Sequence, residues 1–240
     1  MSRVRAVIYD AGETLLEPRP DLEELCRVAA RHGVVVTPAQ LSSALPDLAH
    51  FFRQWERPGR SVWESDEQTR RAWAEYYAHA FRAAGVTAAR ADLLAAGAAI
   101  YDWYSHPEQW RLFPDALPAL AAVAEQGYVQ GVISDWGADL LPILHTLGVT
   151  RYLRFVVVST VVGFAKPSRE IFHQALVRAE VPAEAAVYVG DSYGRDVIGA
   201  RGAGLRPVLL DRRGLAPPWV DCPVVTSLLE LPPLLARWNG

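Results

Sequence analysis

Val4-Arg5-Ala6-Val7-Ile8-Tyr9-Asp10-Ala11-Gly12-Glu13-Thr14 decides the fold. The run is short, apolar and rich in β-branched residues, and Asp10 and Gly12 end it, so it reads as a buried strand over Val4–Tyr9. Its end delivers a carboxylate. Two later stretches repeat the plan. Val132-Ile133-Ser134-Asp135 closes an apolar run on a hydroxyl, and Val189-Gly190-Asp191-Ser192-Tyr193-Gly194-Arg195-Asp196 closes one on a pair of acids. A fourth, Gly163-Phe164-Ala165-Lys166-Pro167-Ser168, lies between an apolar strand and a predicted helix.

Outward from the first strand, Pro18 and Pro20 break the chain, and the sequence then predicts helices with no convincing strand. Asp21–His32 has apolar residues at Leu22, Leu25, Cys26, Val28 and Ala29, with Gly33 as a stop. Pro38–Trp55 continues in that style with a break at Pro46. Asp66–Ala84 follows a capping Ser65, and Thr87 caps a fourth helix through Ser105. Beyond Pro114 the rhythm changes. Strands at Tyr128–Ile133, Phe155–Val158, Ala186–Val189 and Pro207–Leu210 alternate with helices, and Val224–Val225 reads as an edge strand. Such alternation means βαβ units and a parallel sheet covered on both faces. The expected architecture is therefore α/β: a core of residues 1–16 and 113–240, with a helical module, residues 17–112, inserted after the first strand and hinged at its proline-marked crossings.

The 240 residues carry a net charge of −3, which gives no electrostatic argument for nucleic acid or a membrane surface. No stretch approaches the roughly 20 apolar residues of a membrane span. Cys26 and Cys222 sit in dissimilar surroundings and build neither a metal site nor a disulfide framework. The first residues hold too short an apolar run for a signal peptide. A cytoplasmic protein, monomer or homodimer, is the default expectation.

Of the 24 basic residues 23 are arginine, and Lys166 is the exception. A compact ammonium is required there that a broad planar guanidinium cannot imitate; the rival reading is a codon bias that spared one surface lysine. In an open α/β sheet ligands bind outside the carboxyl ends of the strands. Asp10, Ser134, Lys166 and Asp191 all fall at or just after such ends. Two carboxylates, a hydroxyl and an ammonium suit phosphoryl transfer: a carboxylate can attack phosphorus, a divalent cation held by acidic oxygens neutralises charge, and lysine and hydroxyl hold the remaining oxygens.

These four motifs, in order and with a helical insert after the first, resemble the haloacid dehalogenase (HAD) superfamily of hydrolases. The resemblance implies a Rossmann-like parallel-sheet core with an α-helical cap, a Mg²⁺ cofactor, and a small phosphorylated metabolite as substrate. It puts the nucleophile on Asp10, the first-motif threonine on Thr14, the second-motif hydroxyl on Ser134 and the lysine on Lys166. The metal would fall to Asp10, the backbone carbonyl of Gly12, and Asp191, with Asp196 acting through water or by orienting Lys166. Thr14 would steady the first loop.

The pattern departs from the family at one place. The phosphatases usually carry a second aspartate two residues after the nucleophile, which protonates the leaving group; here that position is Gly12. General acid–base help is worth about 10²–10⁴-fold. Either Glu13 takes the role, or the enzyme is slow or restricted to substrates whose leaving group needs no proton, or the reaction is not phosphate ester hydrolysis. A cap without lysine excludes the phosphonate-cleaving branch. A 2-haloacid dehalogenase activity stays open, although the acids at 191 and 196 favour a metal site, and so does a catalytically weak scaffold that binds a phosphorylated ligand or a partner.

Overall fold

The apolar run that opens the chain forms β1 (Ala6–Tyr9) and becomes an inner strand, buried at every position. This computed structural model describes residues 2–19, 21–45, 48–53 and 61–240, apart from the side chains of 48, 49 and 53. The breaks expected at Pro20 and Pro46 and the helix end expected at Trp55 lie outside the described residues.

β1 pairs in parallel with β4 (Val129–Ser134) on one side and β6 (Ala186–Gly190) on the other. With β5 (Phe155–Val158), β7 (Arg206–Leu210) and β8 (Val224–Val225) they make a six-stranded sheet in the order β5-β4-β1-β6-β7-β8. All its pairings are parallel. The chain runs outward from β1 through β4 to β5, then returns to lay β6 against the other flank of β1. That reversal puts the ends of β4, β1 and β6 side by side, where an open sheet leaves its crevice.

Alternation along the strands builds two cores. Val7 and Tyr9 face one side with Val132, Val187 and Val189, under α6 (Ala116–Glu125), α7 (Leu140–Thr146) and α11 (Leu231–Asn239). Ala6 and Ile8 face the other with Ile133 and Tyr188, under α9 (Arg169–Ala179), which the one-turn α8 (Ser159–Val162) precedes. Each fully buried aliphatic side chain here contributes about 1.5–3 kcal/mol. The buried Tyr9 hydroxyl donates to Gln130 Oε1 at 2.9 Å, and Gln130 Nε2 donates to the Leu120 carbonyl at 2.9 Å, so no polar group of that chain is stranded.

The inserted segment packs about its own core. It comprises α1 (Leu22–Ala30), α2 (Pro38–Ala44), α3 (Leu48–Arg53), α4 (Asp66–Ala83) and α5 (Arg90–Tyr104). Leu25, Val28, Phe52, Tyr76, Phe81 and Ile100 fill it. Ser65 caps α4, as its sequence predicts. α5 begins two residues later than a Thr87 cap would have it, and its N-cap, Ala89, makes no side-chain bond. Arg90 instead pairs with Glu75 of α4, which ties the start of α5 to its neighbour.

Two strands were not expected. Leu16–Pro18 (β2) and Trp110–Leu112 (β3) form an antiparallel ribbon where the chain leaves the core and returns. Three residues are too few for an alternation signal, and Pro18 reads as a break although an edge strand tolerates it. An Arg111–Glu17 ion pair at 2.9 Å crosses the ribbon. The helix expected from Arg195 starts with a π turn, Tyr193–Val197, before α10 (Ile198–Gly202). No helix among the described residues is long and apolar enough to cross a membrane.

α4 and α5 approach closely at Gly97, where an added Cβ would lie 2.5 Å from the Ala74 carbonyl oxygen. Gly97→Ala should lower the unfolding free energy by about 1–3 kcal/mol through overpacking, read from urea denaturation.

Candidate active site

Asp10 leaves the sheet at the end of β1 and is buried, with 6% of its surface exposed. Its Oδ1 accepts from Lys166 Nζ at 2.7 Å and from Ser134 Oγ, at the end of β4, at 3.3 Å. Its Oδ2 accepts from Thr14 Oγ1 at 3.5 Å. Lys166 Nζ also donates to Asp196 Oδ1 at 2.7 Å and lies 3.3 Å from the Tyr188 hydroxyl. Asp196 reaches back through the π turn to accept the Ser192 N–H on its other oxygen, at 2.9 Å. Gly190 makes room for it: a Cβ there would stand 2.4 Å from Asp196 Cγ. Asp191, at the end of β6, opens onto the cleft. One oxygen from each of Asp10, Asp191 and Asp196 lies within 4.8 Å of the others.

Three carboxylates against one ammonium set the electrostatics. Burial pushes the Asp10 carboxyl up to about 6, against the pull of Lys166. Asp191 is pushed up to about 8, by desolvation first and then by repulsion from Asp10 and Asp196. Burial alone would depress the Lys166 ammonium, but Asp10 and Asp196 outweigh it and hold that group well above its ordinary value. The cluster is short of positive charge, and its donors are all oxygen, which suits a hard divalent cation.

The structure thus brings Asp10, Thr14, Ser134, Lys166, Asp191 and Asp196 together, and Gly12 lines the same cleft of about 860 Å³. The cap contributes Phe52 and Trp63 to its wall. Glu13 has a left-handed backbone, φ 55°, a conformation that costs a side-chain-bearing residue about 1–2 kcal/mol. Its exposed carboxylate lies 3.6 Å from Arg213, outside the hydrogen bonds that hold Asp10.

Several residues that position the site were missed in the sequence. Asp135 reads there as a helix cap; instead its buried carboxylate accepts the Lys166 backbone N–H at 2.9 Å and pairs with Arg195 at 3.1 Å. Tyr188 reads as strand core, yet its hydroxyl lies 3.1 Å from Asp196 Oδ1. Arg212 holds the β1 loop by donating to the Thr14 carbonyl at 2.7 Å while it pairs with Asp115. Adjacency to Ser134 was the available signal for Asp135. Nothing local marks Arg212, whose partners are distant in sequence.

A sequence model of the haloacid dehalogenase-like hydrolases matches residues 4–204. The chain belongs to that family. A zebrafish (Danio rerio) relative, haloacid dehalogenase-like hydrolase domain-containing protein 3, is 35% identical over 236 residues, covering 95% of each chain. A phosphoserine phosphatase of Thermus thermophilus is 29% identical over 232 residues, covering 89% of this chain and 91% of its own. Among solved structures, the HAD hydrolase YfnB of Bacillus subtilis superposes with a TM-score of 0.71 at 19% identity, over 98% of this chain and 99% of its own, and so shares the fold. The chain is an α/β HAD hydrolase with the Rossmann-like sheet of that fold.

The Lys166 side chain is 4% exposed and donates to two acids at once. In this HAD hydrolase Lys166→Arg should cost about 1–3 kcal/mol of stability, measured by urea unfolding, because a guanidinium overfills the space and cannot converge on both oxygens.

Proposed function

We propose that this HAD hydrolase is a Mg²⁺-dependent phosphatase for a small phosphorylated metabolite, working through an aspartyl-phosphate on Asp10. The observation that carries the reading is the grip of one ammonium, Lys166, on Asp10 and Asp196 at 2.7 Å each, with Asp191 beside them. The likeness to a phosphoserine phosphatase supports the phosphate-ester class.

The residues present fit the metal. Asp10, Asp191 and the carbonyl of Gly12 would hold Mg²⁺, and Asp196 serves it indirectly through Lys166 or a water. Bound there, the ion neutralises phosphate charge and polarises the reacting centre. The chain's own residues do the rest. Asp10 Oδ1 is held by Lys166 and Ser134, which leaves Oδ2 as the less engaged oxygen. A carboxylate oxygen of Asp10 bonds to phosphorus as the ester P–O bond breaks, and the leaving oxygen keeps the electron pair. Water then attacks phosphorus, releases phosphate and restores Asp10. Lys166 and Ser134 hold phosphate oxygens as charge develops. Arg212 fixes the loop that carries Thr14.

Position 12 supplies no proton to a leaving group, and the Glu13 carboxylate, although on the cleft wall, is turned toward Arg213. Gly12 has no side chain, and Trp136 closes over it: a Cβ at Gly12 would lie 3.2 Å from Trp136 Cζ3. The enzyme therefore acts on substrates whose leaving oxygen is stable as an anion.

Two measurements test the reading. Phosphatase activity should require Mg²⁺, be lost in chelator, and fall by ~10³-fold or more in Asp10→Asn without loss of fold; full activity in that variant removes Asp10 as nucleophile. Aryl phosphates should be hydrolysed about 10²–10⁴-fold faster than alkyl phosphates of similar size, the factor that a missing general acid costs. Equal rates would mean that another group donates the proton.

A further inference from the structure

Beside the catalytic cleft lies a second cavity, of about 370 Å³, at the junction of cap and core. The two share Trp63, Asp135 and Trp136 as walls. The second cavity sits at the small end of the range for ligand pockets, about 300–1,000 Å³.

Its lining is aromatic. The cap contributes Trp73, Tyr77 and Tyr104, the ribbon Trp110, and the core Trp136. These rings run on from the catalytic site. Trp136 starts over Gly12, its ring centroid is 4.6 Å from that of Trp110, and Trp110 is 5.8 Å from Tyr104. Asp139 fixes the Trp136 indole by accepting its N–H at 3.2 Å. The charged residues of the lining are Asp21, Asp135 and Asp139, and among the described residues no arginine or lysine joins them. Three carboxylates and no cation among the described lining residues disfavour a second phosphate or a carboxylate here, and the buried Trp63 Nε1, which has no hydrogen-bond partner among the described residues, is left to donate to a neutral acceptor.

We infer that this cavity holds the substrate's leaving group, and that this group is an uncharged aryl group of one or two rings. The inference rests on the phosphatase reading and names the substrate class for it. Two independent observations meet in it. The cavity offers aromatic faces, which stack on rings. The site lacks a proton donor at Gly12, and an aryl oxygen, with a phenol's pKa near ~10, departs as an anion far more readily than an alkoxide. In the transfer the phosphorus–oxygen bond breaks, the aryl oxide leaves with the pair and takes its proton from water, and phosphorus is bonded to Asp10.

The test compares 1-naphthyl phosphate with acetyl phosphate on the whole chain. Both have leaving groups that need no proton, but only the first carries rings that could fill the cavity. Leu25, on α1, lines the cavity and takes no part in catalysis. Leu25→Trp, which fills the space, should cut kcat/KM for 1-naphthyl phosphate tenfold or more and leave that for acetyl phosphate within twofold. With the unmodified enzyme, 1-naphthol should inhibit acetyl phosphate hydrolysis competitively, whereas 4-hydroxybenzoate and glycerol should not. Should the variant not fold by circular dichroism, naphthol inhibition decides alone. Acetyl phosphate turnover without these effects overturns the aryl pocket and leaves the phosphatase standing. Turnover of neither phosphate overturns the phosphatase reading beneath it.

Discussion

One ammonium group holds the carboxyl end of the sheet together. Lys166 comes from the loop before α9, Asp10 from β1 and Asp196 from the π turn after β6, and both acids are within 2.7 Å of its Nζ. All three are buried. A buried charge is tolerated only when paired, and removing one partner leaves the others uncompensated. The trio therefore locks three distant chain segments at the point where the strand order reverses. Lysine serves because its donors radiate from one atom, whereas a guanidinium spreads its own across a plane. That explains why a chain with 23 arginines keeps a single lysine, and keeps it here.

Around this knot the site is held largely through the backbone of its loops. Asp135 accepts the N–H of Lys166, Ser192 N–H docks on Asp196, and Arg212 clasps the carbonyl of Thr14. Each bond fixes where a loop turns, so the functional side chains start from a set position. The cap reaches the same loops from above. Asp66, at the start of α4, accepts the Ala138 N–H at 3.3 Å, and Trp63 lies 5.4 Å beneath the Arg195 guanidinium. Cap and core thus meet directly at the loops that surround Asp10, Lys166 and Asp196.

The parts legible in the sequence were those written locally. Apolar runs of four to six residues ending in an acid or hydroxyl gave the strands of the sheet, since burial on both faces leaves a continuous apolar signal. Their ends gave Asp10, Ser134 and Asp191, because parallel strands present their C-terminal residues at one edge. The ribbon of β2 and β3 was illegible because its strands have three residues each and depend on a partner more than ninety residues away. Asp135, Tyr188 and Arg212 were hidden for a related reason. Each looks like a cap, a core residue or a surface charge until the fold supplies its partner. The π turn at Tyr193–Val197 is set by Asp196 folding back over Gly190, a tertiary contact no helix propensity encodes.

Gly12 and Trp136 are best understood as one feature. Taken alone, the glycine looks like a loss, since it removes the carboxyl that a phosphatase of this family would use as a proton donor. The indole beside it changes that reading. Its ring stands 3.2 Å from where a Cβ would begin, its N–H is fixed by Asp139, and its face continues into the rings of the neighbouring cavity. A side chain at position 12 would start against this ring, which would have to give by a few tenths of an ångström, and a carboxyl pressed against an indole would be poorly solvated. The two arrangements are therefore alternatives: a proton donor beside the departing oxygen, or an apolar wall that accommodates a ring. This chain has the wall. Restoring the acid by Gly12→Asp alone would thus set the new side chain against Trp136 before it could act on any substrate.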